Sequence, residues 1–442
     1  MSLRILLVRH GLSSFNVEHR IQGRDDLSSL TEQGLQQAAA TGAALADLRL
    51  DAAYSSPLRR ARHTAEALLA AQGGGLTPQL DDDLLEVDLA PWTGMLSSEV
   101  RERFPEQHRL WRQQPETLEL QRADGSRYRP IPELLDQAKR FAARLLAAHD
   151  PAAPQPQTVL VVGHNAILRC LLLSLLGLDA AGFRRLRLDN ASISVLNLTR
   201  SGGAPLEVQL ESLNGIGHLE AGLPRRSAGP RLLLVRHGET DWNRQQRFQG
   251  QIDIALNAMG LEQANRLGQH LARSPTDVLI CSDLQRARQT AAPLASAWQQ
   301  TAHTRSGFRE QSFGVLEGLD VPTIKAQHPE LWAQWLEHRA DFALPGGESL
   351  QQFHARVLQS VREAAADHPG KTVTIVTHGG VLDMLWRTVH GLPLDGLRAC
   401  DIPNTGINRL RWRQGTLELV QWAEVTHLQG LPEQPSTRAG ER

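Results

Sequence analysis

The chain has 442 residues, more than a single hydrophobic core usually supports, so we expect two domains. With 21% charged residues and a formal net charge of −1, it offers no basic surface for nucleic acid or a membrane, and neither partner is expected. No apolar run is long enough to span a bilayer. The first strand-like run begins at Leu3, which leaves no room for a signal peptide, and we expect a cytoplasmic protein.

Each half of the chain alternates strands and helices in the same order. The first half has three short apolar runs that predict buried strands, at Leu3–Val8, Ala52–Ser55 and Val159–Val162. The second half repeats them at Leu232–Val235, Val278–Ser282 and Val373–Val376. Thr31 and Asn257 are the expected N-caps of the first long helix of each half. This pattern predicts an α/β fold: two tandem three-layer α/β/α domains with mostly parallel central sheets, which bind ligands at the carboxyl ends of the strands.

The repeated motifs are separated by a nearly constant offset. Arg-His-Gly ends the first strand of each half, so that His10 of the first half recurs as His237 of the second. The later histidines, His164 and His378, recur at a slightly smaller offset. A slowly drifting offset indicates a tandem duplication with loops of different length. We assign residues 1–211 to an N-terminal domain, 212–230 to a linker, 231–430 to a C-terminal domain and 431–442 to a disordered tail.

The three cysteines, Cys170, Cys281 and Cys400, are scattered and stand at no spacing typical of metal ligands. We expect reduced, buried thiols. Neither a metal site nor a cofactor is predicted.

Four kinds of polar side chain follow the predicted strands in both halves. In the first half they are Arg9 with His10, then Arg60, Glu86 and His164. In the second half they are Arg236 with His237, then Arg286, Glu310 and His378. Any one of them could be a surface charge or a hydrogen-bonded core residue. Matched positions in the same order in both halves argue against that explanation, and strand ends of one sheet converge on one rim.

These residue types suit phosphoryl transfer, which needs positioning and neutralisation of phosphate charge. Two arginines and one histidine can bind the phosphate oxygens. A second imidazole can act as nucleophile, since neighbouring arginines should lower its pKa and keep it unprotonated. A glutamic acid can protonate the leaving oxygen.

The sequence resembles the histidine phosphatase (phosphoglycerate mutase-like) superfamily. The second half carries LLVRHGETDWN, SDLQRARQTA and VTHGG, and the first half carries LLVRHGLSSFN, SSPLRRARHTAE and VVGHNA. The resemblance implies that His10 and His237 are phosphorylated nucleophiles and that Glu86 and Glu310 are proton donors. It further implies phosphate contacts from Arg9, Arg60, His164, Arg236, Arg286 and His378. Asn16 and Asn243 would line the same pockets.

The two-domain layout and the stretch LLEVDLAPWTG also resemble the plant 2-carboxy-D-arabinitol 1-phosphate phosphatase group and its cyanobacterial relatives. We therefore predict a metal-independent phosphatase that hydrolyses small phosphate monoesters through a phosphohistidine intermediate. The expected partner is a small phosphorylated metabolite, a sugar phosphate or a sugar-acid phosphate. A homo-oligomer is left open.

Two alternatives stay open. The chain could be a phosphoglycerate mutase, although the stretches from Glu310 to His378 and from Glu86 to His164 leave little room for the basic insertion of such mutases. One half, more readily the first, could instead be a non-catalytic binding or structural module. The first half has Leu12-Ser13 in place of Glu239-Thr240 and lacks the Pro345–Ser349 loop. That loop is either a turn with a helix cap or a substrate contact.

Overall fold

The structure is a computed structural model that describes residues 2–200, 204–219, 230–337, 339–396, 398–413 and 416–432. The chain divides into two compact units, Met1–Gly222 and Leu223–Arg442. Each unit has its own α/β layers, described separately below. Among the described residues, none of the helices combines the length and the apolar character that a bilayer crossing requires.

The first unit is built on one mixed sheet. Its strands in chain order are β1 (Ser2–Arg9), β2 (Ala52–Ser55), β3 (Gln79–Leu80), β6 (Gln157–Gly163), β7 (Ile193–Thr199) and β8 (Glu207–Gly215), and a separate hairpin pairs β4 (Leu120–Gln121) with β5 (Arg127–Tyr128). The spatial order is β8-β7-β1-β6-β2-β3. The neighbouring pairs β1–β6, β6–β2 and β2–β3 are parallel, whereas the pairs β1–β7 and β7–β8 are antiparallel. The predicted, mostly parallel sheet is therefore confirmed.

Helices of varied length accompany this sheet. Those in the described part of the unit are α1 (Ser14–Val17), α2 (Glu32–Ala44), α3 (Arg59–Gln72), α4 (Ser97–Arg103), α5 (Pro105–Gln113), α6 (Pro130–Ala148) and α7 (Asn165–Leu175). Thr31 caps α2 as predicted, because its Oγ1 accepts the Gly34 N–H at 3.0 Å. Leu6 and Val8 of β1 pack with Leu68 of α3 in one apolar cluster, which fixes that face of the sheet.

The second unit repeats the plan. Its strands are β9 (Arg231–Arg236), β10 (Val278–Cys281), β11 (Ala302–Thr304), β12 (Thr372–Thr377), β13 (Ile407–Arg413) and β14 (Thr416–Glu424). Their order is β11-β10-β12-β9-β13-β14. The pairs β9–β12, β12–β10 and β10–β11 are parallel, and the pairs β9–β13 and β13–β14 are antiparallel. The helices are α8 (Asp241–Arg244), α9 (Ala258–Leu271), α10 (Gln285–Trp298), α11 (Val321–Gln327), α12 (Pro329–Leu336), α13 (Leu350–Asp367) and α14 (Gly379–His390).

The predicted start of the linker at residue 212 is wrong. β8 continues to Gly215 and pairs with β7, with Leu210 and Leu213 buried. The pairing register shifts between Leu210 and Ser212, but the ladder to β7 continues to Gly215, so these residues belong to the sheet. The rest of the predicted linker from residue 220 to 229, and the predicted tail from residue 433, lie outside the described residues.

Candidate active sites

The parallel pairing of two strands brings two histidines together in each unit. Arg9 is in register with Gly163, and Arg236 with Thr377. The next residue on every one of these strands is a histidine. The rings of His10 and His164 consequently lie 5.2 Å apart between centroids, and those of His237 and His378 also 5.2 Å apart.

The first histidine of each pair has a fixed tautomer. Nδ1 of His237 lies 2.7 Å from the carbonyl oxygen of Gly238, and the matching distance at His10 is 2.8 Å. Because a carbonyl oxygen only accepts, Nδ1 carries the proton and Nε2 keeps its lone pair. Burial and then the neighbouring arginines hold the pKa of both imidazoles well below the usual range. Each ring is thus a neutral imidazole suited to nucleophilic attack.

The glycine of each Arg-His-Gly motif is required by a close backbone approach. A Cβ on Gly238 would lie 2.6 Å from the carbonyl oxygen of Gly260, in the first turn of α9. A Cβ on Gly11 would lie 2.4 Å from that of Gly34. The two glycines of each unit therefore let the first long helix press against the histidine loop.

Arg286 is buried and held on three sides. It donates from its terminal nitrogens to the carbonyl oxygens of Ile252 at 2.9 Å and Gly250 at 2.7 Å. Its Nε–H donates to Nδ1 of His378 at 3.3 Å. Because Nδ1 accepts this bond, Nε2 of His378 carries a proton, and Nε2 has no partner in the described part of the chain. The ring is set to donate to an anion.

The corresponding side chains of the first unit are arranged differently. Arg60 also donates to two loop carbonyls, those of Asp25 at 2.7 Å and Gly23 at 2.8 Å. Its Nε, however, has no partner among the residues that the structure describes. Nε2 of His164 instead lies 2.8 Å from the Ser56 hydroxyl, which leaves Nδ1 without a partner in that same range. Arg60 and His164 therefore do not form the arginine–histidine bond that Arg286 and His378 form.

The arginine before each nucleophile is anchored through one terminal nitrogen. Arg236 donates to the Ile402 carbonyl at 2.6 Å, and Arg9 to the Leu188 carbonyl at 2.7 Å. Burial lowers the pKa of Arg9 to about 10, so its guanidinium still carries a positive charge at neutral pH. Both units keep a cation beside the nucleophilic imidazole.

The carboxylate of each glutamate contacts the start of the helix that follows the second histidine. Glu310 accepts the N–H of Gly380 at 3.0 Å and of its neighbour Gln311 at 2.9 Å. Glu86 accepts from the N–H groups of Val87, Ala166 and Ile167, at 2.8, 3.1 and 3.2 Å. A Cβ on Gly380 would lie only 2.1 Å from Oε1 of Glu310. The alanine at the matching place in the first unit means that the two carboxylates sit differently on their helices.

The two predicted asparagines stabilise the loop beyond each nucleophile. The Oδ1 atom of Asn243 accepts the N–H and the hydroxyl of Thr240, both at 3.1 Å. Asn16 makes the same contacts with Ser13, and also accepts from Nδ2 of Asn190 at 3.1 Å. Their amide oxygens are thus used within the fold, and any ligand contact would come from Nδ2.

Sequence reasoning missed a second asparagine in each unit. Asn404 donates from Nδ2 to the carbonyl oxygen of His237 at 2.9 Å, and Asn190 to that of His10 at 3.0 Å. The offset from Asn190 to Asn404 is the same as that from His164 to His378. That shared offset was the signal available in the sequence.

The Pro345–Ser349 loop is a turn and a helix cap. The Ser349 hydroxyl accepts the Gln352 N–H at 3.2 Å and starts α13. Glu348 pairs with Arg356 at 2.7 Å, and Arg356 donates to the Glu310 carbonyl at 3.2 Å. The loop therefore supports the backbone of Glu310 through Arg356.

Comparison with known proteins identifies the family of both halves. The sequence profile of the histidine phosphatase superfamily (branch 1) matches residues 5–210 and 232–425. A 2-carboxy-D-arabinitol-1-phosphatase of Triticum aestivum is 34% identical over 293 residues, which cover 65% of this chain and 56% of that protein. The chain thus spans just over half the length of this relative.

Two shorter proteins are similar to a single half. Phosphoserine phosphatase 1 of Hydrogenobacter thermophilus is 32% identical over 219 residues, 50% of this chain and 98% of that protein. The solved structure of a mycobacterial glucosyl-3-phosphoglycerate phosphatase with VO3 is 30% identical, with a TM-score of 0.39, and covers 44% of this chain and 98% of its own. The narrower resemblance to carboxyarabinitol phosphatases is confirmed, and the chain belongs, through both of its halves, to the histidine phosphatase superfamily (branch 1).

Proposed function

We propose that this protein hydrolyses small phosphate monoesters through a phosphohistidine intermediate, with His237 as the main nucleophile and His10 as a second one. One observation carries the proposal. A neutral imidazole that is protonated on Nδ1 lies beside a histidine set to donate. The same site contains the buried Arg286 and the carboxylate of Glu310, which accepts an N–H at the start of α14.

The proposed reaction has two steps. Nε2 of His237 attacks the phosphorus, and the bond from phosphorus to the ester oxygen breaks as the new P–N bond forms. Glu310, protonated, gives its proton to the departing oxygen. The ionised Glu310 then takes a proton from water, whose oxygen attacks the phosphohistidine and releases phosphate together with the regenerated imidazole.

The charges around the phosphate are balanced by side chains. Arg236 and Arg286 carry positive charge next to the nucleophile, and His378 offers its Nε2–H. Charge-assisted hydrogen bonds of this kind contribute about 1.5–3 kcal/mol each. This residue set can neutralise the phosphate oxygens without a metal ion, which supports a metal-independent mechanism.

The proposed substrate is a small phosphorylated metabolite, a sugar phosphate or sugar-acid phosphate of the 2-carboxy-D-arabinitol 1-phosphate kind. The name of the wheat relative supports this class. We also propose a cytoplasmic setting, supported by three buried, unbridged cysteines, Cys170, Cys281 and Cys400.

A mutase would return the phosphoryl group to the product rather than to water. Much of the chain between Glu310 and His378 forms α11, α12, α13 and β12, which leaves little of it for the long insertion of such enzymes. This layout favours hydrolysis.

Phosphate release and 3-phosphoglycerate isomerisation, measured side by side on the full chain, test the proposal. We expect phosphate release together with a trapped, acid-labile phosphoryl group that disappears in His10→Ala/His237→Ala. Isomerisation without release of phosphate, or a phosphoryl group trapped in the double variant, would overturn it.

A further inference from the structure

The helix after the second histidine carries opposite charges in the two units. Arg169 of α7 and Asp383 of α14 stand at matching places, each shortly after the second histidine of its unit. Both positions are one turn into the helix whose first N–H groups bind the glutamate of the site. A difference in charge at this place affects the same region of each pocket.

Within the described ranges, Arg169 has no anionic partner. Its guanidinium lies over the ring of Phe183, with Cζ 5.0 Å from the ring centroid. Its Nε is buried without a hydrogen-bond partner among the same residues, and none of their carboxylates lies at ion-pair distance from it. Arg169 as a whole is half-buried, and a buried guanidinium nitrogen without a partner costs free energy. The position thus retains a cation that no ion pair in the described part of the fold holds.

Arg169 lies on α7 one turn after Ala166, close to the end of the helix that binds Glu86. A helical side chain covers the turn that precedes its own Cα, and for Arg169 this turn contains Ala166, whose N–H binds Glu86. Burial first, and then the charge of Arg9, lower the pKa of Arg169 to about 10, while Glu86 opposes that shift. The charges of Arg9 and Glu86 therefore both act on the guanidinium of Arg169.

The matching position in the second unit is compensated. Asp383 pairs with Nε of Arg387 at 3.0 Å and with Arg398 at 3.6 Å. Arg387 also donates to the loop carbonyls of Pro393 and Asp395, at 2.8 and 3.0 Å. This group ties α14 to the loop that follows it and holds its charges within the fold.

We propose that Arg169 forms a subsite for a second anionic group, a carboxylate or a second phosphate, on the leaving group of the first unit's substrate. The inference rests on the proposed function, because Glu86 marks the side from which the leaving group departs. The second unit has Asp383 at this position and would not prefer monoesters with an anionic leaving group over those with an uncharged one. The two halves would then divide the substrates by charge.

The test uses three phosphate monoesters that differ in the second group. They are glycerol 3-phosphate, which has none, 3-phosphoglycerate, which has a carboxylate, and propane-1,3-diol bisphosphate, which has a second phosphate. Each is assayed for phosphate release with His237→Ala, which leaves only the first site, and with His10→Ala, which leaves only the second. Arg169→Gln is then added to His237→Ala. Arg49→Gln, an exposed arginine at the opposite end of β2, is the matched control.

We expect the first site to prefer one or both doubly anionic esters over glycerol 3-phosphate by about 10-fold to 100-fold in kcat/KM, the contribution of one charge-assisted bond. The ester that is preferred identifies the second group. Arg169→Gln should remove the preference and leave glycerol 3-phosphate turnover within about three-fold, and Arg49→Gln should keep it. An unchanged preference in Arg169→Gln, or an equal loss on all three esters, would overturn the subsite.

Binding of the same three esters to His10→Ala/His237→Ala, measured by calorimetry, separates the two ideas. One result is tighter binding of a doubly anionic ester that disappears with Arg169→Gln, while neither His10→Ala nor His237→Ala releases phosphate in any assay. That result supports the subsite and contradicts the proposed hydrolysis. Phosphate release without any Arg169-dependent preference does the reverse.

Discussion

Arg286 donates its Nε–H to Nδ1 of His378 at 3.3 Å, whereas Nε of Arg60 makes no such bond to His164. The difference sets which ring nitrogen meets the ligand. His378 keeps Nε2–H for an anion, while His164 directs Nε2 to the Ser56 hydroxyl at 2.8 Å. This contrast favours the second unit as the main site on simple phosphate esters.

The first prediction concerns Arg286. Lysine at this position cannot reach the Gly250 and Ile252 carbonyls and His378 at once, since its single amine lacks the guanidinium fork. We expect Arg286→Lys to lower kcat/KM of the second site about 100-fold, the usual effect of losing one preorganised donor. The measurement is phosphate release by the His10→Ala chain, and Arg288→Lys, exposed on the same helix, is the control. Similar rates for the two lysine variants would show that the fork is unnecessary.

The nucleophiles give the second prediction. With an aryl phosphate whose leaving group is uncharged as substrate, His237→Ala should abolish most phosphate release, and His10→Ala should reduce it only partly. The reason is the better ordered phosphate site beside His237, where Arg286 orients His378. Full activity in His237→Ala would reverse the ranking of the two units. Equal partial losses would mean two equivalent sites.

The third prediction uses the two glycines after His378. A Cβ on Gly380 would lie 2.1 Å from Glu310 Oε1, whereas one on Gly379 has no neighbour closer than 3.6 Å. Gly380→Ala should therefore displace the carboxylate and lower kcat about 10-fold to 100-fold. Gly379→Ala, with the same added methyl group, should have a much smaller effect. Steady-state kinetics of both variants in the His10→Ala chain are the measurement, and equal rates would exclude a proton-transfer role for Glu310 in this position.

Much of the site's framework was predictable from the sequence. The apolar runs that end at His10 and His164 predicted buried parallel strands, and parallel strands place their ends on one rim. The structure has this arrangement, with His10 N–H donating to the Gly163 carbonyl at 2.9 Å. Local periodicity was enough because the strands are short, apolar and buried.

Contacts that come from irregular loops were not predictable. The carbonyls that hold Arg286 belong to Gly250 and Ile252, and no periodic pattern encodes where such a loop points its backbone. Asn404 reaches the His237 carbonyl from a distant part of the chain. The start of the linker was misplaced because the register shift after Leu210 breaks the apolar alternation before the buried Leu213.

The last prediction is a loss of stability in mild acid. Four histidines of the sites, His10, His164, His237 and His378, have pKa values well below 6.5, through burial and nearby arginines. In the unfolded chain the same groups bind a proton near pH 6.5. The unfolded state therefore binds more protons below that pH, and the free energy of unfolding must fall as the pH drops from 6.5 toward the folded-state values.

Between pH 7 and pH 5.5 each such histidine should cost about 1 kcal/mol. Urea unfolding of the full chain at the two pH values measures the total. His378→Gln, which cannot take up a proton, should show a pH dependence smaller by about that amount, whereas His303→Gln, at an exposed position, should match the unaltered chain. If both variants lose stability with pH as steeply as the unaltered chain does, His378 is not held neutral in the folded protein. The proposed attack requires a neutral His237, and titration of that ring would then measure its charge state directly.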